Sequence, residues 1–285
     1  MPTITTTDHT KLYYEDTGQG IPLIFVHEFA GDQRSFALQI RFFARSYRCI
    51  AFAARGYLPS DVPDEPGAYS QEKARADVVS IMDGLEVDKA HIIGHSMGAY
   101  TALHVAIQNP ERCRSVAAIG CGWGSNPDER EQSQAQCTEI SDMFRNDPIK
   151  DAAAQYARFP MRNTFEAKDP LGFAEFEQAL AEHSSIGSAL TMSQLQRQRP
   201  TLWEMEPQLS ELEVPLLVIV GDEDEPCLDG SLFLKRTVRT AALAVIPRSS
   251  HTLPLEEPAA INAVLADLFA AVEQGSWMTH RMDKR

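Results

Sequence analysis

The chain has 285 residues, 44% of them hydrophobic and 23% charged, with a formal net charge of −14. That length buries the core of one α/β domain, with or without an insertion, and the balance is ordinary for a soluble globular protein. The acidic excess argues against a nucleic-acid surface, which needs clustered Lys and Arg to neutralise phosphate; it serves solubility and says nothing of substrate.

Met1-Pro2-Thr3-Ile4-Thr5 has neither a basic nor an apolar leader pattern, so no signal peptide is expected. No apolar stretch reaches the length of a membrane span. The five cysteines, Cys49, Cys113, Cys121, Cys137 and Cys227, are scattered, odd in number and free of CxxC pairs. This spacing predicts neither a disulfide framework nor a zinc site, and free thiols fit a cytoplasmic setting.

Two short amphipathic strands are expected at Thr3–Thr6 and Lys11–Glu15. Pro22–Val26 is apolar throughout, as a strand buried on both faces should be. Similar runs recur at Cys49–Ala53, His91–Ile93, Val116–Ile119, Leu216–Val220 and Leu243–Ile246. Between them, Ser70 can cap a helix whose apolar stripe is Ala74, Val78, Ile81, Met82 and Leu85. A second helix runs from after Ser96 to about Gln108, with Pro110 beyond its end. A last one starts at Pro258 and carries Ile261, Val264, Leu265, Leu268 and Val272 on one face. Alternating buried strands and helices predict an α/β fold: a mainly parallel eight-stranded sheet with helices on both faces.

The alternation breaks between Gly124 and Leu212. That stretch holds helical segments punctuated by Pro127, Pro148, Pro160, Pro170, Pro200 and Pro207, with Met143, Phe144, Tyr156, Phe159, Phe173, Phe176, Leu180, Met192, Leu195 and Trp203 recurring through it. The expected organisation is a core of residues 1–123 and 213–285 with a helical cap at 124–212. Most of the cap's apolar residues are read as packing. The tail Gly275–Arg285, with mixed charge, is expected to be poorly ordered.

The chemistry is carried by His91-Ile92-Ile93-Gly94-His95-Ser96-Met97-Gly98-Ala99: a buried strand, G-x-S-x-G, then a helix start. A sharp strand-to-helix turn strains the serine backbone, and side chains at 94 and 98 would collide with neighbouring elements. The turn lifts the Ser96 hydroxyl clear of the sheet at a helix N-terminus, where an oxyanion is favoured. A serine hydroxyl needs a base, and the base an orienting acid. Of the eight histidines, His9 lies in an early turn, His91 in a strand, His104 in a helix, His183 in the cap and His280 in the tail. His95 adjoins the serine, but the elbow aims its side chain away. His251, just beyond the last strand, is the candidate base. Beyond the preceding strand Asp222, Glu223, Asp224 and Glu225 all offer a carboxylate.

With these motifs the chain resembles the α/β-hydrolase superfamily from about Thr3 to Val272. The family's G-x-x-D pattern after the penultimate strand falls on Gly221-Asp222-Glu223-Asp224, so the resemblance implies Asp224 as the acid, with Asp222 in reserve. The family's H-G-x-x-G falls on His27-Glu28-Phe29-Ala30-Gly31, which implies Phe29 and Met97 N–H groups as the oxyanion hole. Glu28 stands where the family usually has glycine. A buried carboxylate there would oppose an oxyanion unless paired or turned away; the expectation is that it pairs with a cation, Arg55 being one candidate, and the rival reading has it recognise a polar substrate group. Ala54-Arg55-Gly56-Tyr57-Leu58-Pro59-Ser60-Asp61 matches a family loop and is read as structural.

The reading is a serine hydrolase that cleaves a small apolar or aromatic ester through an acyl-enzyme, with Glu28, His95, Trp123 and Leu253 as candidate pocket residues. No metal or organic cofactor is implied; the partner is a small-molecule substrate. Lactonase, thioesterase or amidase action, cofactor-free oxygenation or perhydrolysis, and a small-molecule receptor on the same scaffold are the alternatives.

Overall fold

The computed structural model describes residues 1–277; His280 and the rest of the tail from 278 lie outside the described residues. Eight strands form one sheet: β1 (Thr3–Thr5), β2 (Lys11–Thr17), β3 (Pro22–Val26), β4 (Arg48–Phe52), β5 (Ala90–His95), β6 (Cys113–Ile119), β7 (Leu216–Gly221) and β8 (Ala241–Ile246). Their order is β1-β2-β4-β3-β5-β6-β7-β8. From β4 to β8 neighbours run parallel, and β2 is antiparallel to both β1 and β4.

The continuous apolar strands serve two cores because successive side chains face opposite sides of a sheet. Helix α1 (Ala37–Phe43) connects β3 to β4; Ile24, Val26, Ile92, Val116 and Val218 pack on one face with Val78, Ile81 and Met82 of helix α2 (Gln71–Gly84) and Ala99, Leu103 and Ala106 of α3 (Met97–Gln108). Leu23, Phe25, Ile93, Ala117 and Ile219 pack on the other with Ile261, Leu265, Leu268 and Phe269 of the C-terminal helix Pro258–Glu273. Ser70 caps α2 by accepting the Lys73 N–H at 3.1 Å, and Pro258 opens the C-terminal helix.

Between β6 and β7 the described chain is helical, without a strand: α4 (Arg130–Asn146), α5 (Ile149–Ala157), α6 (Asn163–Lys168), α7 (Pro170–Leu180), α8 (Ser185–Leu190), a wider π turn at Thr191–Gln196, and α9 (Glu206–Ser210). Pro148, Pro160, Pro170 and Pro207 sit at the starts of these short elements, where a missing N–H costs nothing. Phe144, Phe165, Phe173, Leu180 and Met192 form a third core with Phe29, Tyr57 and Met97 from the strand ends below. No helix among the described residues is long and apolar enough to cross a membrane.

Register decides which loops meet. Val26 lies opposite Gly94, Ile119 opposite Ile219, and Gly221 opposite Ile246. The segments that follow β3, β5, β7 and β8 therefore emerge side by side at the C-terminal edge of the sheet, where open α/β sheets place their sites.

Candidate active site

Ser96 follows β5 and caps α3 with φ 53° and ψ −111°, a conformation that side-chain-bearing residues rarely adopt. The flanking glycines make this turn possible. A Cβ on Gly94 would lie 2.2 Å from the Gly98 carbonyl oxygen, and one on Gly98 would lie 2.0 Å from that of Val26. The Ser96 N–H donates to the Ile119 carbonyl at 2.8 Å, tying the elbow to β6.

The Ser96 Oγ is 2.9 Å from His251 Nε2, and His251 Nδ1 is 2.8 Å from Asp224 Oδ2. Of the four carboxylates on the β7 loop, Asp224 is thus the one joined to the imidazole. Asp222 accepts the Ser249 N–H at 3.1 Å instead and steadies the histidine loop from outside. Glu256 does so from within, taking the N–H and hydroxyl of Ser250 at 3.0 Å each. With Nδ1–H committed to Asp224, the Nε2 lone pair faces the serine hydroxyl, the tautomer that a general base needs. His251 and Asp224 are both buried, at 1% and 0% exposure, so the acid–base pair sits out of bulk water.

Phe29 and Met97 are buried above β3 and β5, and neither N–H pairs with an acceptor among the described residues. The peptide between Glu28 and Phe29 is held by its carbonyl: His27 Nδ1–H donates to it at 2.7 Å and the Gly31 N–H at 3.2 Å. Tyr57 Oη donates to the Phe29 carbonyl at 2.9 Å. Glu28 is 2% exposed, and its partner is Arg162 of the helical insertion, Nη2 to Oε2 2.5 Å. Arg55, the partner suggested by proximity in sequence, binds Asp77 at 2.6 Å and Asp8 at 2.9 Å; it fixes its own loop instead. Burial alone would raise the Glu28 carboxyl, but the Arg162 charge, with His95 and His251, holds it down to about 2. It is therefore ionised at neutral pH, and Arg162 offsets it.

A cavity of about 380 Å³ opens on Ser96 and His251. Its walls are Trp123, Ile140, Met143, Tyr156, Phe159, Pro160 and Met161, with Gln136, Glu139, Gln155, Gln196 and Pro226 completing the lining. Trp123 is the one expected pocket residue that lines it. Leu253 is fully buried in the core beneath, because it opens a short helix that turns its side chain toward the C-terminal helix. His95 points below the elbow, its Nε2–H donating to the His251 carbonyl at 2.7 Å, and burial pushes its pKa down to about 4. Glu28 faces Arg162 rather than the cavity. Of the insertion's apolar residues, Ile140, Met143, Tyr156, Phe159, Pro160 and Met161 reach the cavity, while Phe144, Phe173, Phe176 and Leu180 pack in the insertion's core.

Sequence reasoning missed Met161, whose carbonyl accepts the His251 N–H at 3.1 Å, and Arg162. No periodicity marks them, since both act across about ninety or more positions of chain. Among the described residues, the one grouping of metal-type ligands is Asp224, Cys227 and His251. Burial and then the Asp224 charge push the Cys227 thiol well above its ordinary pKa, so it offers no thiolate, and the other two are bound to each other.

Comparison with known proteins agrees with this architecture. The chain is 28% identical over 279 residues to a 2-hydroxy-6-oxo-6-phenylhexa-2,4-dienoate hydrolase of Burkholderia cepacia, covering 91% of each chain. It is 28% identical over 261 residues to 3-oxoadipate enol-lactonase 2 of Acinetobacter baylyi, covering 90% of this chain and 92% of the other. Its fold superposes with a TM-score of 0.82 on a thermophilic esterase from Thermogutta terrifontis, at 23% identity and over 95% and 98% of the two chains. Residues 21–258 match the family model for the alpha/beta hydrolase fold, and with its eight-stranded sheet the chain belongs to that family.

Proposed function

We propose that the protein is a serine hydrolase that cleaves a carboxylic ester of a small, uncharged, apolar or aromatic substrate. The reading rests on one observation above all: Ser96 Oγ, His251 and Asp224 form a continuous hydrogen-bonded chain at the floor of a mainly apolar cavity. His251 Nε2 takes the Ser96 proton as Oγ attacks the ester carbonyl. Phe29 and Met97 N–H groups receive the developing oxyanion, each worth roughly 3 kcal/mol in the transition state. The imidazolium returns its proton to the departing alcohol, leaving an acyl-enzyme. Water, deprotonated by the same nitrogen, then releases the acid and restores Ser96.

The substrates named for the two relatives are carboxylates. In this chain no Lys or Arg among the described residues lines the cavity, and Glu139 stands in its wall. An anionic substrate would meet no compensating cation there, which favours a neutral ester over a dienoate or an oxoadipate lactone. The test is hydrolysis of p-nitrophenyl esters from acetyl upward by wild type and Ser96→Ala, with a 2-hydroxy-6-oxo-dienoate alongside. Ester turnover lost in the variant supports the reading. Turnover of the dienoate in preference to every ester would replace it with carbon–carbon bond hydrolysis by the same residues.

A further inference from the structure

Glu28 and Arg162 are two full charges buried at 2% and 1% exposure, one beside the oxyanion loop and one in the helical insertion. Removing such a pair from water costs several kcal/mol per ion, and well-packed apolar residues usually serve stability as well or better. Stability is therefore a weak reason for this pair. Its surroundings suggest a positional one. Arg162 spends one nitrogen on Glu28, while its Nε and Nη1 have no partner among the described residues. Its guanidinium carbon lies 5.1 Å from the Tyr156 ring centre and 5.3 Å from that of Phe176, so the fork is in cation–π contact with two rings.

The neighbours of each charge are the working groups. Pro160, Met161 and Arg162 form one turn: the first two line the cavity, Met161 holds the His251 N–H, and Arg162 holds Glu28. The Glu28–Phe29 peptide carries the N–H assigned above to the oxyanion, and its carbonyl is fixed on the opposite edge of the same plane. One short turn thus holds both the backbone N–H of His251 and the side chain of the residue whose carbonyl shares the Phe29 peptide.

We propose that Arg162 is a positioning residue: through Glu28 and the adjoining Met161 it locks the insertion onto the oxyanion loop and the His251 backbone, so that cavity wall, base and oxyanion donor keep one geometry. This rests on the hydrolase reading above. An interaction that orients transition-state donors changes kcat, whereas a wall contact alone changes KM.

The experiment compares wild type, Arg162→Lys and the double variant Glu28→Gln/Arg162→Met on one p-nitrophenyl ester. Active sites are counted by fluorophosphonate labelling of Ser96. The double variant removes both charges together, so that no buried charge is left unpaired. The expected result is a kcat per labelled site at least thirty-fold below wild type in the double variant, with KM within about two-fold. Arg162→Lys, which keeps charge but loses the planar fork, falls between. Unchanged kcat per labelled site in both variants would overturn the proposal, as would a loss explained wholly by fewer labelled sites. If the double variant does not fold, Arg162→Lys alone decides: a lower kcat per labelled site with KM little changed supports the proposal, and an unchanged kcat overturns it. A wild type that neither labels nor turns over any ester would sink the hydrolase reading, and this inference with it.

Discussion

At the residue scale the division of labour among the β7-loop carboxylates is the sharpest consequence of the geometry. Asp224 is buried against His251 Nδ1, while Asp222, two positions earlier and exposed, meets only a backbone N–H. Asp224→Asn keeps the shape but offers the imidazole an amide, which favours the wrong tautomer. If the ester-hydrolase reading holds, kinetics on the best ester should show kcat reduced about 10⁴-fold with thermal stability nearly intact, the loss that this change causes in a Ser-His-Asp protease. Equal losses in Asp222→Asn and Asp224→Asn would mean that the roles are misassigned. The four-carboxylate loop in the sequence could not separate these residues by chemistry. The family pattern pointed to Asp224, and only the path of the backbone after Gly221 places the carboxyl against the ring.

At the element scale, helix α4 shapes the cavity. Its Ile140 and Met143, three positions apart, share the face turned to Ser96, and Cys137 and Phe144 turn into the insertion's core. Met143→Trp adds bulk to the wall without touching Ser96, His251 or Asp224. On a graded ester series, kcat/KM should fall roughly ten-fold or more for long acyl chains and little for acetyl, in line with a few kcal/mol for overfilling a packed site. A uniform loss across the series would place the acyl group elsewhere. The strands were legible because doubly buried strands are written as unbroken apolar runs. The insertion's helices were legible only as a class. Short elements with Pro at their starts and a π turn between them obscure a 3.6-residue period, so it was not evident which aromatic faced the cavity.

At the scale of the whole molecule, buried histidines couple folding to pH. Burial lowers His91 to about 3 and His95, His104 and His183 to about 4, from an ordinary value of 6.5. Between pH 6.5 and 4 the unfolded chain binds protons at these sites that the folded chain refuses, so stability falls as pH drops through that window. Each histidine contributes at most on the order of 3 kcal/mol. Glu28, held down to about 2, acts in the same direction below its ordinary 4.5. Urea unfolding at pH 7.5, 6 and 5 in high salt, which screens the acidic surface, should show a steadily decreasing free energy. A flat profile would mean that these imidazoles are hydrated in solution.

The sequence by itself determined the sheet, the elbow at Ser96 and which histidine meets that serine. These depend on local rules: apolar continuity, glycines where a Cβ cannot fit, and a histidine after the last strand. Tertiary structure alone decided that Glu28 pairs with Arg162 rather than Arg55, that Leu253 and His95 lie below the site, and that Met161 holds the His251 backbone. The Glu28 pairing and the hold on His251 depend on which groups meet across about ninety or more residues of chain, where a charge takes whichever partner the packing brings within reach.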